Sequence, residues 1–266
     1  MFKKIALASA IAVSAAFATW DYYPVLEAGK GSAAGGLYYD WDDPWSQAGL
    51  KIGGRYSLIQ NLELSLQSWG YQFWGESDCD NCVNGGDGLR DLIIGARYGL
   101  APMITAFLDL NLPIGNDDNE HGATTPPSHH DIFIYAGAQF SMPINDVAGM
   151  KFGTEAGILW GFEHDNNERG LDMHLGGEVA YTVPNVGVTP FVGLQLKYRL
   201  TESTWDDHGT ERGHNDDGNK QINIWLGADY FVIPNQLDLI AKLFVRSGKV
   251  DDGDATGLYV GAEFFF

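Results

Sequence analysis

The chain has 266 residues, a formal net charge of -19 and a mean hydropathy of -0.15. A length of this order fits one domain. The acidic charge argues against nucleic acid as a partner, because its phosphates would be repelled. Beyond the first 18 residues no apolar stretch is long enough to cross a membrane as a helix, which excludes the inner membrane as the final location.

Residues 1–18 have the features of a signal peptide. Two lysines precede an apolar run from Ile5 to Phe17, and Ala16-Phe17-Ala18 fits the small-x-small rule for signal peptidase. The order of charge, apolar core and cleavage site disfavours the alternative, a buried N-terminal helix or anchor. Residues 19–266 are therefore expected to form the exported domain.

In this domain, the alternation of apolar and polar residues predicts about twelve β-strands. In chain order the approximate spans are 28–40, 46–59, 62–74, 89–98, 104–114, 131–142, 150–163, 171–183, 188–202, 221–233, 237–248 and 258–266. Short connections contain Pro, Gly or Asn, as tight turns do, and lie at 60–61, 99–102, 143–149, 184–187 and 234–236. Longer connections, all rich in Asp or Glu, alternate with them at 41–45, 76–88, 116–130, 164–170, 204–220 and 250–257.

The last strand, Leu258 to Phe266, places apolar residues on one face and ends on an aromatic residue. It resembles the closing strand of a Gram-negative outer-membrane β-barrel. With both termini periplasmic, an even strand count puts all six acidic loops outside the cell. The sequence thus predicts an all-β protein, a transmembrane up-and-down antiparallel β-barrel of about 12 strands in the cell outer membrane. Its expected partners are outer-membrane lipid and the barrel assembly machinery.

A soluble β-sandwich or jelly roll is the alternative for many alternating strands. It does not explain the signal peptide, the terminal Phe266 and the regular succession of short and long connections together.

Period-2 alternation assigns one face of each strand to lipid and the other to the lumen. Near Leu171, for example, Met173 and Leu175 are expected to meet lipid while His174 points inward. Tyr71 and Phe73 are expected to point inward together with Trp69. Applied to every strand, the alternation predicts these pore-lining residues: Lys51, Arg55, Glu63, Trp69, Asp91, Arg97, Asp109, Glu155, Asp172, His174, Glu178, Lys197, Arg199, Trp225, Asp229, Lys242 and Arg246.

Inward charges of both signs allow two interpretations. Close opposite charges in a low dielectric favour pairing, which predicts a structural salt-bridge network that narrows the bore. Alternatively, the two signs line an amphoteric pore for small polar solutes. A barrel of about twelve strands can hold a narrow pore or a ligand cavity, and inward aromatic rings suit aromatic or sugar-like solutes.

Three segments carry a family resemblance: Gly54-Arg55-Tyr56-Ser57-Leu58 followed by Asn61-Leu62-Glu63-Leu64, Gly95-Ala96-Arg97-Tyr98-Gly99-Leu100, and Leu110-Asn111-Leu112-Pro113-Ile114-Gly115. They resemble the outer-membrane barrels of the phenol meta-pathway degradation (MetA-type) family. The likeness covers about Leu50 to Gly115 and recurs around Gly193 to Leu200. It implies the barrel architecture and a role in uptake of hydrophobic or aromatic compounds.

Neither enzymatic activity nor a cofactor is expected. An outer-membrane phospholipase needs a His and a Ser on the lipid-facing wall, whereas His174 is expected inside. The omptin-like spacing Asp206-x-His208 arises easily by chance in acidic loops. Cys79 and Cys82, in an exported chain, are expected to form a disulfide that stiffens their loop. The acidic, His-containing loops allow weak binding of Ca²⁺, but the residues of a metal site stay unknown, because no complete calcium-loop motif is present.

The function predicted from the sequence is a narrow pore or passive uptake channel for small polar or aromatic solutes. The alternative is a non-conducting, surface-displayed barrel: an adhesin, binding protein or structural outer-membrane protein.

Overall fold

The computed structural model describes residues 25–43, 45–77, 86–116, 127–128, 131–163, 168–207, 210–215, 217–250 and 254–266. These residues contain the strands β1 Gly31–Asp42, β2 Trp45–Ile59, β3 Leu62–Ser77, β4 Gly88–Leu89, β5 Leu92–Ala101, β6 Ile104–Leu112, β7 Ile132–Pro143, β8 Met150–Phe162, β9 Leu171–Tyr181, β10 Val188–Arg199, β11 Ser203–Asp207, β12 Thr210–Asn215, β13 Lys220–Ile233, β14 Leu237–Gly248 and β15 Ala255–Phe265. No helix long and apolar enough to cross a membrane occurs in this part of the chain.

Twelve of the strands form a closed antiparallel barrel. Each barrel strand pairs with the next one along the chain, and β1 pairs with β15 from Ser32–Phe265 to Trp41–Thr256. Closure leaves no unpaired strand edge facing hydrocarbon, where an unpaired backbone group would be costly. The all-β barrel predicted from the sequence is confirmed.

Two features of the connections were not predicted. The short strand β4 pairs with β3, and β11 pairs with β12 as a separate hairpin. β4 joins Gly88, the last residue of the connection expected at 76–88, to Leu89, the first residue of the next expected strand. The β11–β12 hairpin lies mostly in the connection expected at 204–220. β4 has only two residues and the hairpin is polar, so alternation of apolar residues gave no signal for either.

Asparagines fix three of the tight turns. Asn61, Asn185 and Asn235 have φ values of 67°, 65° and 62°. This left-handed conformation is unfavourable for most residues but is tolerated by Asn, whose short polar side chain can bond locally. The turns hold β2–β3, β9–β10 and β13–β14 together at one end of the barrel.

The two faces of the barrel wall differ in polarity as predicted. Outer side chains are apolar and exposed, with Leu226 at 56%, Val260 at 51% and Trp160 at 60%. Inner ones are mostly polar, although an apolar cluster around Phe191 and Phe265 packs inside near the end that carries the tight turns.

A bulge in β3 corrects one part of the predicted register. Relative to β2, β3 has an extra residue between Leu66 and Trp69. The bulge shifts the alternation by one position, so Gln72 becomes fully buried while Tyr71 and Phe73 are 38% and 51% exposed. Trp69 shares the outer face with these two residues. The prediction that Trp69, Tyr71 and Phe73 point inward is therefore wrong, because it assumed a regular strand.

Candidate functional site: the barrel lumen

The lumen contains the sequence-predicted residues other than Trp69, and their exposure divides them into two groups. Asp91 lies at the end of the barrel away from the tight turns, where it accepts hydrogen bonds from Gly115 N (3.0 Å) and Ser128 Oγ (2.6 Å). The buried group comprises Arg55, Glu63, Arg97, Asp109, Glu155, Asp172, His174, Glu178, Arg199, Trp225 and Asp229. The group that keeps accessible surface comprises Lys51, Asp91, Lys197, Lys242 and Arg246.

Three buried arginines are each paired with a carboxylate. The shortest N–O distances are 3.6 Å for Arg55–Glu63, 2.8 Å for Arg97–Asp109 and 2.8 Å for Arg199–Asp172. Arg199 lies directly opposite Asp172 across β9 and β10, and both are almost fully buried. Pairing is what a buried charge requires, so these groups add little net charge to the lumen.

A polar and aromatic network fills the side of the lumen formed by β6 to β9. Glu155 accepts hydrogen bonds from the Tyr135 hydroxyl and from Gln139 Nε2, the latter at 2.8 Å. The ring of Tyr135 also contacts Phe107 and His174, at centroid distances of 4.8 and 4.9 Å. This side of the barrel is therefore occupied by the protein's own side chains.

An acidic cluster lies near the tight-turn ends of β13 to β15. Asp238 lies directly opposite Glu263, and Asp229 lies diagonally from Asp238, opposite Ile240. The three acidic residues are each 1% exposed. Within the described chain, the carboxylate oxygens of Asp229 and Asp238 have no hydrogen-bond partner. Since like charges repel across a strand pair, the cluster is held in place by the packing of apolar neighbours such as Ile240, rather than by ion pairs.

The segment before β1 covers the same end of the barrel. Leu26 N donates to Glu63 Oε2 at 3.0 Å, and Gly29 N donates to Ser57 O at 2.8 Å. Glu63 is an inner residue only 2% exposed. The contact with Leu26 therefore brings this segment to the lumen's edge, beside the Arg55–Glu63 pair.

The side of the lumen opposite the Glu155 network carries basic groups that keep accessible surface. Among the described residues, Lys51 and Arg90 form no ion pair with a carboxylate. Asp40 lies within electrostatic range of both, but it accepts a hydrogen bond from Gln47 Nε2, at 3.3 Å. The other accessible basic residues on the inner face are Lys151, Lys197, Lys242 and Arg246.

Two inner aromatic rings hold these cations. Arg90 Nη1 donates to the Tyr38 hydroxyl at 2.7 Å, and its Cζ lies 5.2 Å from the centre of that ring. Lys51 Nζ lies 5.7 Å from the same ring centre. Lys242 Nζ lies 4.9 Å from the ring centre of Trp225. These distances are within the range of cation–π attraction.

Glycines make room for the rings. A Cβ on Gly49 would lie 2.6 Å from the Tyr38 ring, and one on Gly36 would lie 2.5 Å from Tyr259. Real Cβ atoms do not approach so closely, so the rings lie against bare backbone. This arrangement preserves free space in the lumen beside Lys51.

Several residues of this basic side were missed by sequence reasoning. Arg90 precedes β5, and alternation extended from Arg97 would have put it on the outer face. Tyr38 and Gln72 carry no charge, and charge was the main criterion for selecting inner residues. Continuing the alternation of β1 from Asp40 would have found Tyr38, but the bulge in β3 concealed Gln72.

The predicted loop sites are mostly outside the described residues. Cys79 and Cys82 lie outside them, as do most of the loop histidines. Within the described residues no group of three or more His, Cys, Asp or Glu side chains could hold a metal ion. Both the disulfide and weak Ca²⁺ binding by the loops stay predictions.

A closed barrel with an apolar outer belt and a polar lumen is an outer-membrane β-barrel. Residues 27–259 match the family described as "Putative MetA-pathway of phenol degradation". The chain belongs to this family, as the resemblance of its hairpins indicated. No functionally curated protein matches it.

Similar solved structures support the same fold. The COG4313 outer membrane channel from Pseudomonas putida F1 is 14% identical, with a TM-score of 0.70 over 92% of this chain and 98% of that one. The translocator domain of autotransporter NalP from Neisseria meningitidis is 13% identical, with a TM-score of 0.53 over 90% and 89%. LpxR from Salmonella typhimurium is 12% identical, with a TM-score of 0.53 over 88% and 100%. These likenesses show the barrel fold, and the apolar outer belt around a polar lumen places the barrel in the outer membrane.

Proposed function

We propose that this protein is a narrow passive pore that lets small polar solutes cross the outer membrane, with a preference for anions. The observation that carries the proposal is Lys51, an inner residue that keeps accessible surface and has no ion-pair partner among the described residues. A charge of this kind can act on a passing solute, whereas a buried and paired charge cannot.

The segregation of inner charges supports the preference for anions. Eight inward carboxylates are buried, none more than 6% exposed. Three of them neutralise arginines. Among the accessible inner charges, the basic residues Lys51, Lys197, Lys242 and Arg246 outnumber the acidic residues Asp40 and Asp91. Because accessible charges set the local concentration of ions in a pore, the lumen is expected to attract anions although the whole chain is acidic.

The solute range is limited by the filled parts of the lumen. The network around Glu155 occupies one side, and the acidic cluster with the Leu26 segment narrows the end with the tight turns. Family membership adds aromatic compounds to the candidate solutes, and the inner ring of Tyr259, which keeps accessible surface, offers a face on which they could stack.

The second candidate is a non-conducting, surface-displayed barrel with a binding or structural role. It is favoured by the tight packing around Asp229, Asp238 and Glu263, each 1% exposed. If this packing never opens, the accessible basic side is a cavity rather than a passage.

Single-channel recording in planar bilayers distinguishes the two candidates. A pore is expected to give discrete conductance steps in KCl, and Lys51→Glu should lower the share of current carried by chloride. Lys249→Glu makes the same change of charge at an exposed residue beyond β14 and serves as the matched control. Heat-modifiable gel mobility shows whether the protein is folded. Folded protein that gives no conductance steps would refute the pore and leave the non-conducting alternative.

A further inference from the structure

We infer that the lumen contains a binding site for a small organic carboxylate, formed by Lys51 and Arg90 at the Tyr38 ring, with Lys242 facing them. The inference deepens the proposed pore and rests on it, because the site lies on the path of a solute through the barrel.

The lumen contains two kinds of inner cation. Arg55, Arg97 and Arg199 are buried, and each has a carboxylate partner. Lys51 and Arg90 have accessible surface and, within the described residues, no such partner. A barrel that pairs its buried arginines but leaves these two cations unpaired in an enclosed lumen has a place for an external anion.

Lys242 lies on β14, across β1 and β15 from Lys51. Along the sheet, Lys51 pairs with Gly36, which pairs with Gly261, which pairs with Ile240, two residues before Lys242. Lys51 and Lys242 are within electrostatic range of each other. Only the two glycines separate Lys51 from β14 in this row, so basic groups face one space from two sides.

The rings of Tyr38 and Tyr259 lie at the floor of that space. Tyr38 lies directly opposite Tyr259 across β1 and β15, and the Tyr259 ring lies against the backbone at Gly36 and Gly261. Tyr38 is buried, whereas the Tyr259 ring keeps accessible surface and gives a small, flat apolar shelf beside the cations. A planar organic group can lie on such a shelf while its charged end reaches a basic side chain.

The charged groups of the site determine the charge of the ligand. Arg90 uses Nη1 for Tyr38 and Gln72, and its remaining N–H groups make no hydrogen bond with the described residues. Guanidinium and ammonium groups bind carboxylates through short charge-assisted bonds. Asp40 acts on Lys51, Arg90 and Arg246, and its negative charge offsets part of the field. The site stays net positive and therefore favours a carboxylate over a neutral molecule of the same shape.

The experiment compares benzoate with benzamide, which has nearly the same shape but no charge. The full barrel is refolded into vesicles, and its thermal unfolding is followed as a function of the concentration of each compound. Binding to the folded state raises the Tm in proportion to RT ln(1 + [L]/Kd). Benzoate is expected to bind about tenfold more tightly than benzamide, which corresponds to about 1.4 kcal/mol.

Variants assign the effect to the site. Lys51→Met and Arg90→Met should each weaken benzoate binding about tenfold, the effect of one lost charge-assisted bond, and should leave benzamide unchanged. Lys51→Arg should restore binding. Lys249→Met is the matched control and should behave as the unaltered protein.

The outcomes separate this inference from the proposed pore. A conducting barrel that binds benzoate no better than benzamide, or whose benzoate affinity is unchanged by Lys51→Met, would refute the site and leave the pore. A silent barrel that still prefers benzoate and loses that preference in Lys51→Met would support the site and refute the pore.

Discussion

Replacing Arg199 with methionine is expected to destabilise the barrel by about 3–5 kcal/mol, the usual cost of leaving a buried charge without its partner. Arg199 donates to both carboxylate oxygens of Asp172, at 2.8 and 3.1 Å. It also donates to Val250 O at 2.8 Å and to the Ser203 hydroxyl. Asp172 is fully buried, so water cannot replace the lost donors. The guanidinium joins β9 and β10 to the start of β11 and to the segment that follows β14.

The double variant Arg199→Met/Asp172→Leu separates the unpaired charge from the loss of packing. Replacing both members of a buried pair by apolar groups is often close to neutral, so the double variant should regain most of the lost stability. Urea unfolding of protein refolded in lipid vesicles, followed by tryptophan fluorescence, gives the free energy of unfolding. Lys249→Met, at an exposed residue, should stay within about 0.5 kcal/mol of the unaltered protein. A double variant no more stable than Arg199→Met would refute the reasoning.

Four further outcomes are expected. Leu226→Arg puts a charge on the lipid face and should cost about 2–4 kcal/mol near the bilayer midplane, measured by urea unfolding in vesicles; equal stability would place this residue away from lipid. Asn235→Val, in a left-handed turn position, should cost about 1–2 kcal/mol, whereas Asn235→Gly should be close to neutral in the same assay. Leu26→Pro removes the N–H that bonds Glu63 and should make the preceding segment more sensitive to protease; unchanged cleavage would show that the contact does not hold it. Cys79 and Cys82 should resist thiol labelling on intact cells until a reductant is added, and labelling without it would exclude the disulfide.

Much of the fold could be predicted from the sequence because each barrel strand must be apolar on one face and polar on the other. The predicted β14, for example, has the same limits as the observed strand, Leu237 and Gly248. Alternation fails where the backbone is irregular. The bulge before Trp69 changes the face of the residues from Trp69 to Phe73, where a second shift in register restores the alternation. No residue type between Leu66 and Trp69 indicates the first bulge.

The lumen was predicted less completely because alternation gives the face of a residue but not its depth or its partners. Lys51 and Arg55 have the same predicted orientation on one strand. Arg55 is buried beside Glu63, whereas Lys51 lies among glycines of neighbouring strands and keeps accessible surface. That difference depends on the register of β1, β2 and β3, which the sequence of one strand does not contain. The apparent balance of inner charges therefore concealed a basic accessible surface.

The zero-current potential across a bilayer containing the barrel, under a KCl gradient, tests the central claim most directly. The accessible inner charges of the proposed pore include Lys51, Lys197, Lys242 and Arg246. The sign of the potential is therefore expected to show that chloride permeates faster than potassium. Lys51→Glu should shift the potential toward the value for potassium permeation. Faster passage of potassium through the unaltered barrel, or no current at all, would contradict the proposed pore with its basic lumen.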